Sequence, residues 1–197
     1  LAKSIVHRML EPVFRLAESV NLECRESRSV DSFMADLATH RVDVVLADAP
    51  AGPGTSVRTY SHELGDCGTT FFAAPRLARS WRRRFPASLD QAPALLPTSD
   101  STFRRALKNW FGSRRLRPQV VAELDDSALA MVFAEAGLGF VAAPDVLEKE
   151  LCQRYGVEIV GRTHQVRQRF YAISIERKIG HPAVAAICET ARKSLFA

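Results

Sequence analysis

An α/β architecture with parallel sheets is predicted by three observations. Strand-like and helix-like segments alternate from one end of the chain to the other. The run Val42-Asp43-Val44-Val45-Leu46-Ala47 is almost continuously apolar, as in a parallel strand covered on both faces. Roughly nine strands in 197 residues suit two small doubly wound sheets better than one. The composition, 47% hydrophobic and 25% charged, is that of an ordinary globular chain rather than a disordered or coiled-coil one. No stretch approaches the ~20 apolar residues of a membrane span.

Taken in order, residues 5–17 set Val6, Met9, Leu10, Val13, Phe14 and Ala17 on one helical face, with Pro12 predicting a kink. Residues 21–26 read as a strand. Ser29 is placed to cap a helix whose apolar positions are Val30, Phe33, Met34, Leu37 and Ala38. His40 and Arg41 suit its C-terminal end. The apolar strand at 42–47 follows, then a Pro/Gly loop. Residues 69–74 form the next strand, and Pro75 opens a helix. Leu95-Leu96 is a short strand before a helix carrying Phe103, Leu107, Trp110 and Phe111 on its core face. A strand at 119–124 leads through Asp125-Asp126-Ser127 into a helix ended by Gly137. Residues 140–143 are a strand, Pro144 starts a helix reaching about Arg154, and 157–160 and 169–175 are two further strands. His181-Pro182 opens a last helix with Val184, Ile187, Cys188, Ala191 and Leu195 along one face.

The net charge of +5 is unevenly placed: residues 76–117 hold 11 Lys or Arg against only Asp90 and Asp100. Such a segment reads either as a nucleic-acid footprint or as the solvated face of two helices. Its aromatics Phe103, Trp110 and Phe111 repeat with Leu107 at helical spacing, which argues core. The four cysteines, Cys24, Cys67, Cys152 and Cys188, form no CxxC pair and read as free thiols of a reducing cytoplasm.

Catalytic chemistry is not found. There is no phosphate-binding P-loop, no dinucleotide Gly pattern after a strand and no nucleophile elbow. The five histidines have no metal spacing, so neither an enzyme nor a resident metal or cofactor is expected. Two polar clusters stand at strand-to-helix junctions. Thr98-Ser99-Asp100-Ser101-Thr102 offers hydroxyls beside the free N–H groups of a helix start, suited to an anion. Glu123, Asp125, Asp126 and Ser127 offer carboxylates suited to a cation, amine or guanidine. Helix capping alone, or capping together with ligand contact, accounts for both.

The segment Ala134-Glu135-Ala136-Gly137-Leu138-Gly139-Phe140-Val141-Ala142-Ala143-Pro144, behind a strand and an Asp-Ser-capped helix, resembles the core of LysR-type transcriptional regulator effector domains. The 42–47 strand and the closing His181-Pro182-Ala183-Val184 fit the same family. More narrowly, Leu64 to Pro75, Glu123 to Leu129, Tyr155-Gly156-Val157-Glu158 and Phe170 to Ser174 resemble the sodium/proton-antiporter activator (NhaR-like) branch.

The resemblance covers essentially the whole chain. It implies a type 2 periplasmic-binding-protein-like fold: residues 1–68 plus 164–197 as subdomain one, 69–163 as subdomain two, and two crossover strands joining them. It places a small effector, an ion or small molecule, in the cleft between them, near Asp48, Ala49, Thr69, Thr98, Ser99, Asp100, Ser101, Asp125, Asp126 and Ser127. It further implies a homodimer or tetramer, with residues 5–17 as a candidate surface. DNA would be held through a winged helix-turn-helix ahead of Leu1, in a cytoplasmic regulator with no membrane partner. A solute-binding protein shares the fold and stands as the alternative.

Overall fold

The computed structural model describes residues 1–26, 30–52, 58–99, 101–177 and 179–196. The chain divides into two compact units: Lys3–Asp66 with Arg169–Ala197 as unit 1, and Cys67–Gln168 as unit 2. Two long strands, β2 (Tyr60–Ala73) and β6 (Glu158–Ser174), run through both. The others are β1 (Val45–Ala47), β3 (Pro93–Leu96), β4 (Gln119–Glu123) and β5 (Phe140–Pro144). They hydrogen-bond in the order β1-β6-β2-β5-β3-β4.

In unit 1, helix α1 (Lys3–Leu10) passes into a 3-10 turn (Glu11–Arg15) that has Pro12 in its first turn. Proline lacks the N–H an α-helix would need there, so the helical face at 5–17 is built from two kinds of helix. Both pieces pack against α7 (Pro182–Thr190), whose end is a π-helical turn, Ala191–Leu195. His181 caps α7, its Nδ1 accepting from the Ala183 N–H at 3.2 Å. Helix α2 (Val30–Ala38) lays Met34 and Leu37 on Val45 and Ile173. The expected cap Ser29 lies outside the described residues.

In unit 2, alternate residues of β2, β3 and β5 face opposite sides. Phe71, Ala73, Ala94, Leu96, Phe140 and Ala142 meet the apolar sides of α3 (Pro75–Arg82) and α4 (Thr102–Ser113). Helix α5 (Ser127–Glu135) packs on β3, β5 and α6 (Glu148–Tyr155). The α3–α4 core is aromatic: Phe71 lies 5.2 Å from Trp110 and 5.8 Å from Phe140, ring centre to ring centre. Gly137, with φ +78°, ends α5 in a conformation that costs a side chain strain and glycine none.

Four expectations are corrected. Residues 21–26 form no strand and are largely exposed, because among the described residues no neighbouring strand supplies a hydrogen-bond ladder there. The 42–47 strand shrinks to Val45–Ala47 and pairs antiparallel with β6, Val45 opposite Ile173, since a short apolar run suits either direction. The strands at 157–160 and 169–175 are one, β6. Its polar middle is half-exposed rather than loop, and β2 extends the 69–74 strand back to Tyr60 for the same reason. Six strands are therefore present among the described residues, with β5-β3-β4 pairing in parallel and β1-β6 and β2-β5 antiparallel.

Candidate functional site

Strands β3 and β4 are parallel neighbours, with Leu96 opposite Glu123, so the helices that follow them begin at the same edge of the sheet. The Leu124 N–H donates to the Leu96 carbonyl at 2.9 Å and holds the two exits together. Ser101 stays extended and caps α4, its hydroxyl accepting from the Arg104 N–H at 3.4 Å. Asp126 caps α5, accepting from the N–H groups of Ala128 at 2.8 Å and Leu129 at 3.5 Å. The Thr98 hydroxyl donates to the Asp125 carboxylate and ties the two junctions.

Thr98, Ser99, Ser101, Asp125, Asp126 and Ser127 are thereby gathered at one edge, where two helix N-termini supply positive partial charge. Such edges, outside the carboxyl ends of parallel strands, are where α/β sheets bind ligands. Asp100 lies outside the described residues. Thr69 sits opposite Pro144, at the end of β5, and so shares that edge. It is fully buried, however, and its hydroxyl donates to the Val166 carbonyl at 2.8 Å, which makes it a tie between strands. Asp48 and Ala49 belong to unit 1, in the bend after β1.

One neighbour escaped the sequence reading. Arg104, in the first turn of α4, donates to Glu123 at 3.0 Å, with only 17% of its side chain exposed. Its spacing three residues after the cap was the available signal. A second cluster was missed altogether. Arg162 grips both oxygens of Glu148, Nε to Oε1 at 2.6 Å and Nη2 to Oε2 at 2.7 Å, and the Thr70 hydroxyl donates to the same carboxylate. Burial pushes the Glu148 carboxyl up, but the hydrogen bonds from Arg162 and Thr70 outweigh it and hold the group below its usual range. Asp145, just ahead of α6, accepts from the Gly68 N–H at 3.1 Å. These contacts staple the start of α6 to β2 and β6.

An open depression of about 570 Å³ beside them is lined by Arg82, Cys152, Glu158, Gly161 and Arg162 among others. Burial, and then the charges of Glu148 and Glu158, push the Cys152 thiol up, which favours the unreactive form. The four cysteines are free, and among the described residues no group of three or more His, Cys, Asp or Glu is placed to hold a metal ion.

The LysR substrate binding domain family matches residues 1–195. The chain belongs to that family. It is 30% identical over 196 residues, its whole length, to the transcriptional activator protein NhaR of Escherichia coli K12, and spans 64% of that relative's length. Among solved structures it is similar to the regulatory domain of HypT from Salmonella typhimurium, with TM-score 0.68 and 14% identity over 96% of this chain and 91% of that one. It is also similar to the effector binding domain of BenM with its effector benzoate, with TM-score 0.71 and 15% identity over 98% and 88%. These likenesses give the fold: a mixed α/β chain of the type 2 periplasmic-binding-protein-like kind. Among the described residues no helix is long and apolar enough to cross a membrane.

Proposed function

We propose that this LysR-family chain is the effector-sensing domain of a cytoplasmic, DNA-binding transcriptional regulator of the sodium/proton-antiporter activator type. The observation that carries the reading is the 30% identity to NhaR along the entire chain, with no part of either subdomain left over. A free solute-binding protein shares the fold, but the family and its relatives here are regulators, which favours the regulator. The domain does no chemistry of its own. A small ion or molecule binds one arrangement of it better than another, and that difference in affinity biases the DNA-binding assembly.

The proposed effector contacts in unit 2 are the Thr98–Ser101 and Asp125–Ser127 junctions. The family resemblance alone adds Asp48 and Ala49 of unit 1, while buried Thr69 acts as the tie between strands. The hydroxyls and helix N-termini favour an anionic or polar group, while Asp125 offers a counterweight for a cation. DNA contact is assigned to a segment outside this chain. Assembly as a homodimer or tetramer is supported by exposed apolar residues: Val120 and Val121 on the end strand β4, Leu129 and Val132 on α5.

A transcriptional reporter driven by the full-length regulator tests this. Output is expected to respond to Na⁺ or Li⁺ but not to equal K⁺, and to lose that response when Asp125 and Asp126 are both replaced by Ala. A response to an organic compound alone discards the ion and keeps the sensor. An unchanged Na⁺ response in the double variant removes the cation role of the two carboxylates.

A further inference from the structure

Some cations of residues 76–117 are taken up within the chain and others are not. Arg79 and Arg82 converge on Glu158, at 3.3 and 3.0 Å, and Arg104 is taken by Glu123. Arg114 lies over the Trp110 ring, 4.5 Å from its centre. Arg76, Arg83 and Arg84, on or just after α3, and Arg105, Lys108, Arg115 and Arg117, on or just beyond α4, are exposed. Their side chains have no hydrogen-bond or ion-pair partner among the described residues.

Both helices lie on one face of the sheet. Trp81 of α3 and Phe111 of α4 rest edge-on against the same ring, Phe140, at 6.3 and 6.2 Å, and Phe85 stacks on Trp110 at 6.1 Å. Helices that turn their apolar sides to a shared core turn their opposite sides to solvent together, so Arg76 of α3 and Arg105 and Lys108 of α4 face outward on that side of unit 2, with Arg83, Arg84 and Arg115 following directly at the helix ends. Like charges crowded this way repel and add nothing to folding, and they gain favourable energy only against an anion.

The surface also narrows the kind of anion. Among the described residues, no large exposed apolar side chain belongs to α3 or α4. The five aromatics of the stripe, Trp81, Phe85, Phe103, Trp110 and Phe111, are spent on the core. A protein partner is usually anchored by apolar or aromatic hot spots, and a single-stranded nucleic acid by exposed rings for its bases to stack on. A duplex backbone needs only guanidinium and ammonium groups facing phosphates. Six of the seven unpaired cations are arginines, the residue whose planar fork matches phosphate oxygens.

We propose that the outer face of α3 and α4 is a second, sequence-independent contact with the phosphate backbone of double-stranded DNA. The proposal rests on the regulator reading, because a DNA-binding segment in the same polypeptide would raise the local concentration of duplex and let individually weak contacts count.

The test uses the full-length regulator and a long mixed-sequence duplex, with affinity read by fluorescence anisotropy across a salt series. Arg83, Arg84, Arg105 and Arg115 are replaced together by Gln, and in a second variant by Lys. The Gln variant is expected to bind more weakly, with a slope of log affinity against log salt reduced by about 0.9 for each phosphate it no longer neutralises. The Lys variant should keep most of both. If the fourfold Gln variant does not fold, as judged by its thermal midpoint, the single changes Arg105→Gln and Arg115→Gln should each lower the slope.

Folded Gln variants with unchanged affinity and slope overturn the proposal and leave the regulator reading standing. Loss of activated transcription with duplex binding intact also overturns it, and assigns the face to an acidic protein. An unsubstituted full-length protein with no affinity for any duplex fails at the earlier step, the regulator reading itself, and takes the second contact with it.

Discussion

The two sides of unit 2 fill their cores in the same way and meet solvent in opposite ways. On one side α3 and α4 bury Leu107, Trp110 and Phe111 over Phe71 and Phe140, and their outer surface is arginine-rich without a single large exposed apolar residue among those described. On the other side α5 buries Ala130, Met131 and Ala134 but leaves Leu129 and Val132 43% and 47% exposed. Val120 and Val121 also stand exposed, on the end strand β4. Folding requires only the inward pattern. The outward pattern is free to vary, so it is where partner preference can be written: a polyanion is proposed against one side and an apolar surface against the other.

The largest effect expected from this contrast is at Phe140, fully buried and shared by both helices of the basic side. Phe140→Ala should cost about 3–5 kcal/mol of stability in chemical denaturation, because the rings of Phe71, Trp81 and Phe111 would be left lining a cavity. Replacing Leu129 and Val132 together by Glu should leave stability within about 0.5 kcal/mol per site and yet dissociate the oligomer in sedimentation. If the Glu pair unfolds the chain and leaves its assembly state unchanged, the apolar surface is core and the contrast between the two sides breaks.

The smallest effect concerns Glu148. Its carboxyl is held below the usual range in the folded chain, so its pair with Arg162 contributes stability above ordinary carboxylate titration. That contribution is lost as pH falls through the folded-state value. Glu148→Gln should therefore be slightly less stable near neutral pH, with a shallower loss of stability on the acid side. An acid limb as steep as that of the unsubstituted chain would show that the pair contributes nothing measurable, as exposed ion pairs commonly do.

Much of this was legible in the sequence where local rules dominate. The polar cap ahead of α5, the proline opening α3 and the Phe103, Leu107, Trp110, Phe111 stripe all express preferences of single helices, and all are found. What escaped depends on partners distant in sequence. The polar middle of β6 is strand because of its neighbours in the sheet, and β1 is antiparallel because β6 returns beside it. Both polar junctions were visible as clusters of hydroxyls and carboxylates. Their joining through Thr98 and Asp125 was not, since it needs β3 and β4 side by side. The Glu148–Arg162–Thr70 cluster stayed hidden for the same reason: its members lie on three separate elements.

Binding of an effector at the β3–β4 edge is tested most directly by the thermal midpoint of this chain. The ligands are NaCl, LiCl and KCl at fixed ionic strength, then a panel of small organic acids and amines, with the Thr98→Ala variant measured alongside. A ligand at 100 times its dissociation constant adds about 2.7 kcal/mol, which raises the midpoint visibly. At least one of these ligands is expected to do so, and Thr98→Ala to abolish the rise while leaving the unliganded midpoint nearly unchanged. A rise of equal size in the variant, or none with any ligand, would contradict effector binding at this edge.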